Sequence, residues 1–400
     1  MRQSWKVNST ESIIFGHGAI QELARVCGSL HAQNVLIITD RGIRDAGILD
    51  TVLKNIPDSF HIEVYDEAVP EPPVDSAVKC LEKAKERMSV VDVIIGMGGG
   101  SSIDLAKVAA LLLEHGGEPH HYFGENKVPG PIAPLIAIPT TAGTGSEVTS
   151  VTVLTDEKNN IKTGISDNYL RPKVALLDPE LTLKLPSYVT ACSGIDALCH
   201  AVEAYTAKDA HYIDAEGDLL FQGGNPISEA HALQAIQYIL KYLPHAVHQG
   251  TNRDARYYML LGSLMAGQAF SNAGTAAAHA LAYPIGGLVK SPHGELTGLL
   301  LPAVLKHNKA VIASKLAYVE RIIEPLHAAL AVDEAASCFI ERIEKLLQDI
   351  FLPTRLSEIG IEEKDLKYIG REALKIERLI RNNPRVPTEK SFEELLKDIL

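Results

Sequence analysis

Asp196 and His200 are four residues apart in Gly194-Ile195-Asp196-Ala197-Leu198-Cys199-His200, which reads as the first buried turns of a long helix opened by Pro186-Ser187. That spacing puts the carboxylate and the imidazole on one otherwise apolar helix face. Burying them bare costs several kcal/mol or more. A divalent metal is one partner that would offset this cost; a simple Asp-His contact is the alternative. Two further histidines stand where they could join them. His279 lies in the small, apolar helical run Ala276-Ala277-Ala278-His279-Ala280-Leu281, and His293 lies in Ser291-Pro292-His293-Gly294, just before another helix. Taken singly, each reads as well as a satisfied core histidine or an exposed loop histidine. Taken together, one carboxylate and three imidazoles suit Zn(II), Fe(II) or a similar ion, without choosing among them.

A second kind of chemistry is written in the first half. Val93-Ile94-Ile95-Gly96-Met97-Gly98-Gly99-Gly100-Ser101-Ser102 is a strand, a glycine loop and a helix start. Glycines let backbone approach a phosphate, and a helix N-terminus offers N–H groups and the positive end of a dipole. Ser101 or Ser102 is the expected cap. The spacing is neither GxGxxG nor a P-loop, so a tight packing turn is the plain alternative. Asp40 closes the strand Val35–Thr39 and reads either as a ribose-binding acid or as the cap of the next turn. The loop Pro139-Thr140-Thr141-Ala142-Gly143-Thr144-Gly145-Ser146-Glu147 follows another buried strand, and its hydroxyls favour a binding site over a plain turn.

These residues need a scaffold, and its type is legible. Short apolar runs at 12–16, 35–39, 90–95 and 134–139 alternate with helical patterns at 19–26, 74–87 and 101–114. This is the texture of a parallel sheet covered on two faces. Further strands are expected between residues 151 and 177. Beyond Pro186, Ala/Leu-rich helices are expected at 188–206, 226–247, 252–270, 276–288, 295–306, 310–328, 333–350 and 363–377. We expect an α/β domain over residues 1–185 and a helical domain over 186–400.

Composition narrows the class. The chain has 400 residues, 46% hydrophobic and 22% charged, with a formal net charge of −12. That balance argues against a general nucleic-acid or anionic-membrane surface. Five scattered cysteines without CxxC spacing read as reduced thiols. No apolar signal core follows the N-terminus and no apolar run reaches about 18 residues, so a cytoplasmic enzyme is expected.

The motifs together resemble the iron-containing, group III alcohol dehydrogenases. The resemblance runs from Ile14-Phe15-Gly16 through Gly98-Gly99-Gly100-Ser101-Ser102-Ile103-Asp104-Leu105-Ala106-Lys107, Pro139–Thr149, Leu177-Asp178-Pro179-Glu180-Leu181, Gly194–His200 and Ser291–Gly294, to Asn382-Asn383-Pro384-Arg385. It implies a Rossmann-like N-terminal domain and an all-α C-terminal domain, as in dehydroquinate synthase-like folds, with the active site in the cleft between them. It implies Asp196, His200, His279 and His293 as metal ligands, Fe(II) or alternatively Zn(II). Gly98, Gly99, Gly100 and Ser101 match its pyrophosphate loop. Thr140, Thr141, Thr144, Ser146 and Lys162 match further cofactor contacts, and Asp40 its ribose-binding acid. A carboxylate there repels a 2′-phosphate, so NAD is expected, with NADP possible. The implied activity is reversible hydride transfer between an alcohol and NAD, the metal polarising the substrate oxygen, in a homo-oligomer such as a dimer.

Two positions depart from the family pattern. Tyr283 stands where relatives often carry a proton-relay histidine, and a phenol with an unperturbed pKa of about 10 is a poorer base. A longer segment at 207–225 follows Tyr205; it reads as a surface loop, a subunit contact or a substrate lid. Both features are similar to the branch containing hydroxyacid–oxoacid transhydrogenase. That gives a first alternative, a transhydrogenase that retains its NAD and uses a 4-hydroxybutyrate-type substrate. A second is a non-redox lyase or cyclase on the dehydroquinate synthase-like scaffold.

Overall fold

The computed structural model describes residues 4–156, 161–215 and 217–400, the side chains of Ile161 and Lys162 excepted. The chain clusters into two compact units. One comprises Asn8–Leu185 and Thr251–Leu260; the other comprises Met1–Val7, Pro186–Gly250 and Leu261–Leu400.

The first unit is an α/β layer. Strands β1 (Ser12–Phe15), β2 (Asn34–Ile38), β3 (His61–Tyr65), β4 (Val93–Gly98), β6 (Leu135–Pro139) and β9 (Val174–Leu177) form an all-parallel sheet in the order β1-β9-β6-β4-β2-β3. Helices α1 (Leu23–Ser29), α2 (Arg41–Asp45), α3 (Ile48–Leu53), α4 (Ser76–Lys85) and α5 (Gly100–His115) belong to this unit. The central strands are apolar on both faces because both are covered. Leu36, Ile38, Ile94 and Leu135 join one core with Leu105, Ala109 and Leu112 of α5, while Val35, Ile37, Ile95, Ile136 and Ile138 join a second core with Leu23 and Val52. A smaller sheet, β5 (Gly124–Glu125), β8 (Ile161–Ser166) and β7 (Val151–Asp156), pairs β7 against β8 antiparallel.

The chain moves from β2 out to β3 and then returns to place β4 on the other side of β2. The loops leaving β2 and β4 therefore diverge at a topological switch point, the place where open α/β sheets bind ligands. Asp40 and Gly98–Gly100 lie on those two loops.

The second unit is helical: α6 (Ser187–Thr206), α7 (Pro226–His248), the later part of α8 (Arg253–Ala273), α9 (Ala277–Leu288), α10 (His293–Ile323), α11 (Val332–Asp349), α12 (Glu363–Leu374), α13 (Glu377–Ile380) and α14 (Glu389–Asp398). Two of the helices expected from the sequence, 295–306 and 310–328, are one helix, α10, which carries Pro302 inside it. The interval between the two expected stretches includes Asn308. It is buried, and its side chain exchanges hydrogen bonds with Asn383 at 3.0 and 2.9 Å. Among the described residues, no helix is long and apolar enough to cross a membrane.

Candidate metal centre and cofactor loop

In the helical unit, α6, α9 and α10 converge. The close approach of α10 to α6 depends on two glycines one turn apart. A Cβ on Gly294 would strike the Cys192 carbonyl oxygen and come within 2.9 Å of the Asp196 Cβ; one on Gly298 would lie 2.7 Å from Ile195. With no side chain at either position, His293, the first residue of α10, is carried beside Asp196. Thr297 donates to Asp196 Oδ1 at 2.9 Å and fixes the carboxylate from the α10 side.

Ligand atoms of Asp196, His279 and His293 all lie within 4.8 Å of one another. His279 Nε2 is 3.8 Å from Asp196 Oδ1. His200 is part of the same cluster: its ring stacks on His279 at 4.7 Å and on Phe270 at 4.2 Å, with Nδ1 3.9 Å from Asp196 Oδ2. The four residues expected from the sequence are thus together, with His200 seated by stacking. Burial alone would raise the Asp196 carboxyl. His200, His293 and His279, with the Thr297 hydroxyl, outweigh that and hold it below its ordinary value.

The donors fit a divalent ion. His279 is 4% exposed, and its Nε2 is buried without a hydrogen-bond partner. Its other ring nitrogen, Nδ1, lies 2.6 Å from Glu203 Oε2. Held that way, Nδ1 carries the proton and Nε2 presents a lone pair, the tautomer a metal needs. The Glu203 carboxylate also accepts from the backbone N–H groups of Ala276 (2.8 Å) and Ala278 (2.7 Å). No side chain within the α9 start caps it, so Glu203 caps that helix from α6 and aims its histidine at the same time. The sequence carried a signal for Glu203, a lone acid in an apolar helix seven residues after Asp196, but nothing in it says which group the acid meets.

Tyr283 is one helical turn after His279, with its ring 5.9 Å from that of His293. Arg378 donates to its hydroxyl at 3.4 Å. The end of the 207–225 segment is tucked in: Leu219, Leu220, Phe221 and Gln222 are buried, and Gln222 and Gly223 donate backbone hydrogen bonds to Asn272 and Ala273 at the end of α8, while Asp209, His211, Tyr212 and Asp214 are exposed.

In the α/β unit, the glycine loop has the expected geometry. Gly98 has φ 144°, and a Cβ there would lie 2.6 Å from the Ser102 Oγ, so only glycine fits without rearrangement. A Cβ on Gly100 would meet Thr144 at 2.7 Å, and Thr141 lies against Gly99. The two loops after β4 and β6 therefore touch. The expected serine cap is corrected: the N-cap of α5 is Gly99, with no side-chain cap. Both serines fall inside the first turn. Ser101 accepts from the Glu71 N–H, and Ser102 donates to Asp40 Oδ2 at 3.2 Å. Asp40 caps α2 through Oδ1, accepting from the Ile43 N–H at 3.0 Å, so the cap reading holds, and the same carboxylate sits beside the glycine loop.

Thr140 Oγ1 is buried without a hydrogen-bond partner, whereas Thr144 Oγ1 accepts from the Ser146 N–H. The Ser146 hydroxyl is committed inward, donating to Asp104 and accepting from Lys107. Lys107 is fully buried and also donates to Thr149 Oγ1, Thr149 O and Val151 O. It fastens the threonine loop to α5. The backbone of Lys162 lies in β8, and its side chain is outside the described part of the structure.

The whole chain matches known proteins. Residues 10–179 fit the family described as iron-containing alcohol dehydrogenase, and residues 190–400 fit the C-terminal part of the Fe-containing alcohol dehydrogenase family. The chain is 32% identical over 388 residues to the NAD-dependent methanol dehydrogenase of Bacillus methanolicus, covering 97% of each. It superposes on the crystal structure of a 1,3-propanediol oxidoreductase with a TM-score of 0.92 at 32% identity, covering 100% of both. It is also 32% identical over 417 residues to the mitochondrial hydroxyacid-oxoacid transhydrogenase of Bos taurus, covering 97% of this chain and 88% of that one, so the transhydrogenase is matched no better than the dehydrogenases. The chain is an oxidoreductase of the iron-containing alcohol dehydrogenase family.

Proposed function

We propose that the protein is a metal-dependent, NAD-linked alcohol dehydrogenase. The observation that carries this is the buried, hydrogen-bond-free Nε2 of His279, its proton held on the far nitrogen by Glu203, with the ligand atoms of Asp196 and His293 within 4.8 Å. Asp196, His200, His279 and His293 would hold Fe(II), or alternatively Zn(II); the family description supports iron. When bound, such an ion supplies Lewis-acid polarisation of the substrate oxygen, and NAD supplies the hydride acceptor.

The chain's own groups do the rest. Gly98, Gly99, Gly100 and Ser101 would receive the pyrophosphate at the N-terminus of α5. Thr140, Thr141 and Thr144 would line the adjacent face, and Asp40 would take the ribose hydroxyls. Thr297 and Glu203 keep the Asp196 and His279 donors aimed before anything binds. Tyr283, one turn from His279, would exchange the proton that an alcohol sheds on oxidation, its hydroxyl oriented by Arg378. The kinship with the NAD-dependent methanol dehydrogenase supports NAD. A cytoplasmic, dimeric enzyme remains the expectation from the family.

The test is a panel of alcohols and aldehydes assayed with NAD(H) and NADP(H) after loading with Fe(II) or Zn(II), beside His279→Ala. Turnover with NAD that requires metal, lost in His279→Ala while NAD binding persists, is expected. Turnover by metal-free protein would overturn the proposal.

A further inference from the structure

Several cations of the helical unit are held by acids. Lys315 pairs with Glu229, Arg342 with Glu320, Lys309 with Asp333 and Lys306 with Glu344. Arg378, half-buried on the short helix α13, pairs with no carboxylate among the described residues. It makes one long hydrogen bond, to the Tyr283 hydroxyl at 3.4 Å, and its guanidinium lies over the Phe221 ring with 5.8 Å to the centroid. A guanidinium presents five N–H donors in a planar fork, so most of its capacity is unspent.

Its surroundings give that capacity a direction. Phe221 comes from the 207–225 segment and is 2% exposed, so the ring that supports the guanidinium is itself fixed in the core. Its neighbour Gly223 is locked by a positive φ of 84°, where a Cβ would strike the Lys208 carbonyl oxygen. A guanidinium beside an aromatic face gains cation–π attraction and keeps its N–H groups for hydrogen bonds. The hydroxyl that Arg378 touches belongs to Tyr283, whose ring is 5.9 Å from His293 in the candidate metal centre. One residue therefore separates an uncompensated guanidinium from the place where a substrate oxygen would be polarised. A planar anion takes two parallel N–H donors from such a fork, the arrangement arginine is best built to offer.

We propose that Arg378, backed by Phe221 and joined to Tyr283, is the subsite for an anionic end of the substrate, so that the enzyme acts on a short alcohol or aldehyde carrying a carboxylate or sulfonate. The proposal rests on the dehydrogenase reading of the same centre and deepens it. It also gives the 207–225 segment a role: it delivers the ring on which the guanidinium lies.

The experiment compares kcat/KM of the metal-loaded enzyme with NAD for 4-hydroxybutyrate, for a hydroxyalkanesulfonate of similar length, and for 1-butanol as the neutral control. Wild type, Arg378→Lys and Arg378→Leu are compared. In parallel, calorimetry measures binding of glutarate, a dianion with no alcohol to oxidise, to the same proteins. The expected result is a preference of at least about tenfold for one of the anionic substrates over 1-butanol in wild type. In Arg378→Leu the acid-to-alcohol ratio falls by about 10- to 100-fold, mostly through KM, the size expected for losing a charge-assisted hydrogen-bonded pair. Arg378→Lys lies between, because it keeps the charge and loses the fork. Glutarate binding weakens by a similar factor. Which anion wins, carboxylate or sulfonate, identifies the source. Equal turnover of acid and neutral alcohol by wild type, an equal fall for both substrates in Arg378→Leu, or glutarate binding indifferent to Arg378 would overturn the proposal. If no alcohol or aldehyde is turned over while glutarate binding follows Arg378 as expected, the dehydrogenase reading fails and the anion subsite stands.

Discussion

Glu203→Gln is the sharpest perturbation available in the helical unit, because one carboxylate does two jobs. Its oxygens accept three hydrogen bonds: Ala278 N–H on Oε1, and Ala276 N–H and His279 Nδ1 on Oε2, at 2.6 to 2.8 Å. An amide has one accepting oxygen. If that oxygen stays with His279 and Ala276, the NH₂ faces the Ala278 N–H, donor against donor. If the amide flips, the NH₂ faces Nδ1, and His279 can meet it only by moving its proton to Nε2, the nitrogen that points at Asp196. At least one buried contact is lost either way, at about 1–3 kcal/mol for an unsatisfied group, and the bonds that remain lose their charge assistance. We therefore expect a fall in unfolding free energy of about 2–4 kcal/mol in urea titrations of the metal-free protein. Separately, metal affinity should fall by about 10- to 100-fold, the usual consequence of removing a ligand's outer hydrogen-bond partner. The assay is competition for Zn(II) or Co(II) against a chelator of known strength, read by the Co(II) absorption spectrum. Affinity within about twofold of wild type in a folded Glu203→Gln would refute the claim that Glu203 sets the tautomer of His279.

Three further outcomes are expected. Gly294→Ala should lose metal retention, measured as bound metal per chain after gel filtration, because the new Cβ meets the Cys192 carbonyl and pushes His293 away from Asp196; full retention would contradict the packing argument. Asp40→Gly should raise the NADP-to-NAD ratio of kcat/KM by about tenfold or more through lost charge repulsion, and a ratio no greater than wild type's would count against Asp40 as the selector. Lys107 concerns pH. Burial lowers its ammonium to about 8 from the ordinary 10.5, against the opposing pull of Asp104 and Glu147. A folded value below the unfolded one means that between about pH 8 and 10.5 the unfolded chain holds the extra proton, so this group's contribution to stability rises with pH across that window. Wild type should gain on the order of 2 kcal/mol relative to Lys107→Met between those limits; parallel stability curves would contradict the buried charge.

How much of this could be read from residue order alone depends on whether the signal was local. The buried strand before Gly96 and the glycines after it are local, and the α/β layer with its loop followed from them. Asp196 and His200 share a helix face by spacing. Their company with His279 and His293 came from the family resemblance, since nothing near Ala276–Tyr283 says what that helix packs against. Arg378 and Phe221 lie 157 positions apart and carry no motif, so their meeting was invisible. Glu203 was visible as an acid among apolar residues, but its partners sit more than 70 residues later. Thr251–Leu260 falls in a helical stretch expected in the C-terminal domain, yet it belongs to the α/β unit. The single helix α10 spans two stretches expected as separate helices, and the interval between them holds Asn308, whose buried partner Asn383 is 75 positions away.

The central claim is that one carboxylate and three imidazoles close on one cation. Anomalous scattering at the iron or zinc edge from crystals of the loaded enzyme tests it most directly. A single peak bonded to Asp196, His279 Nε2, His200 and His293, at about 2.0–2.2 Å for each zinc ligand, is the result expected. A peak held elsewhere, or metal-loaded crystals in which His279 Nε2 faces protein atoms alone, would contradict it.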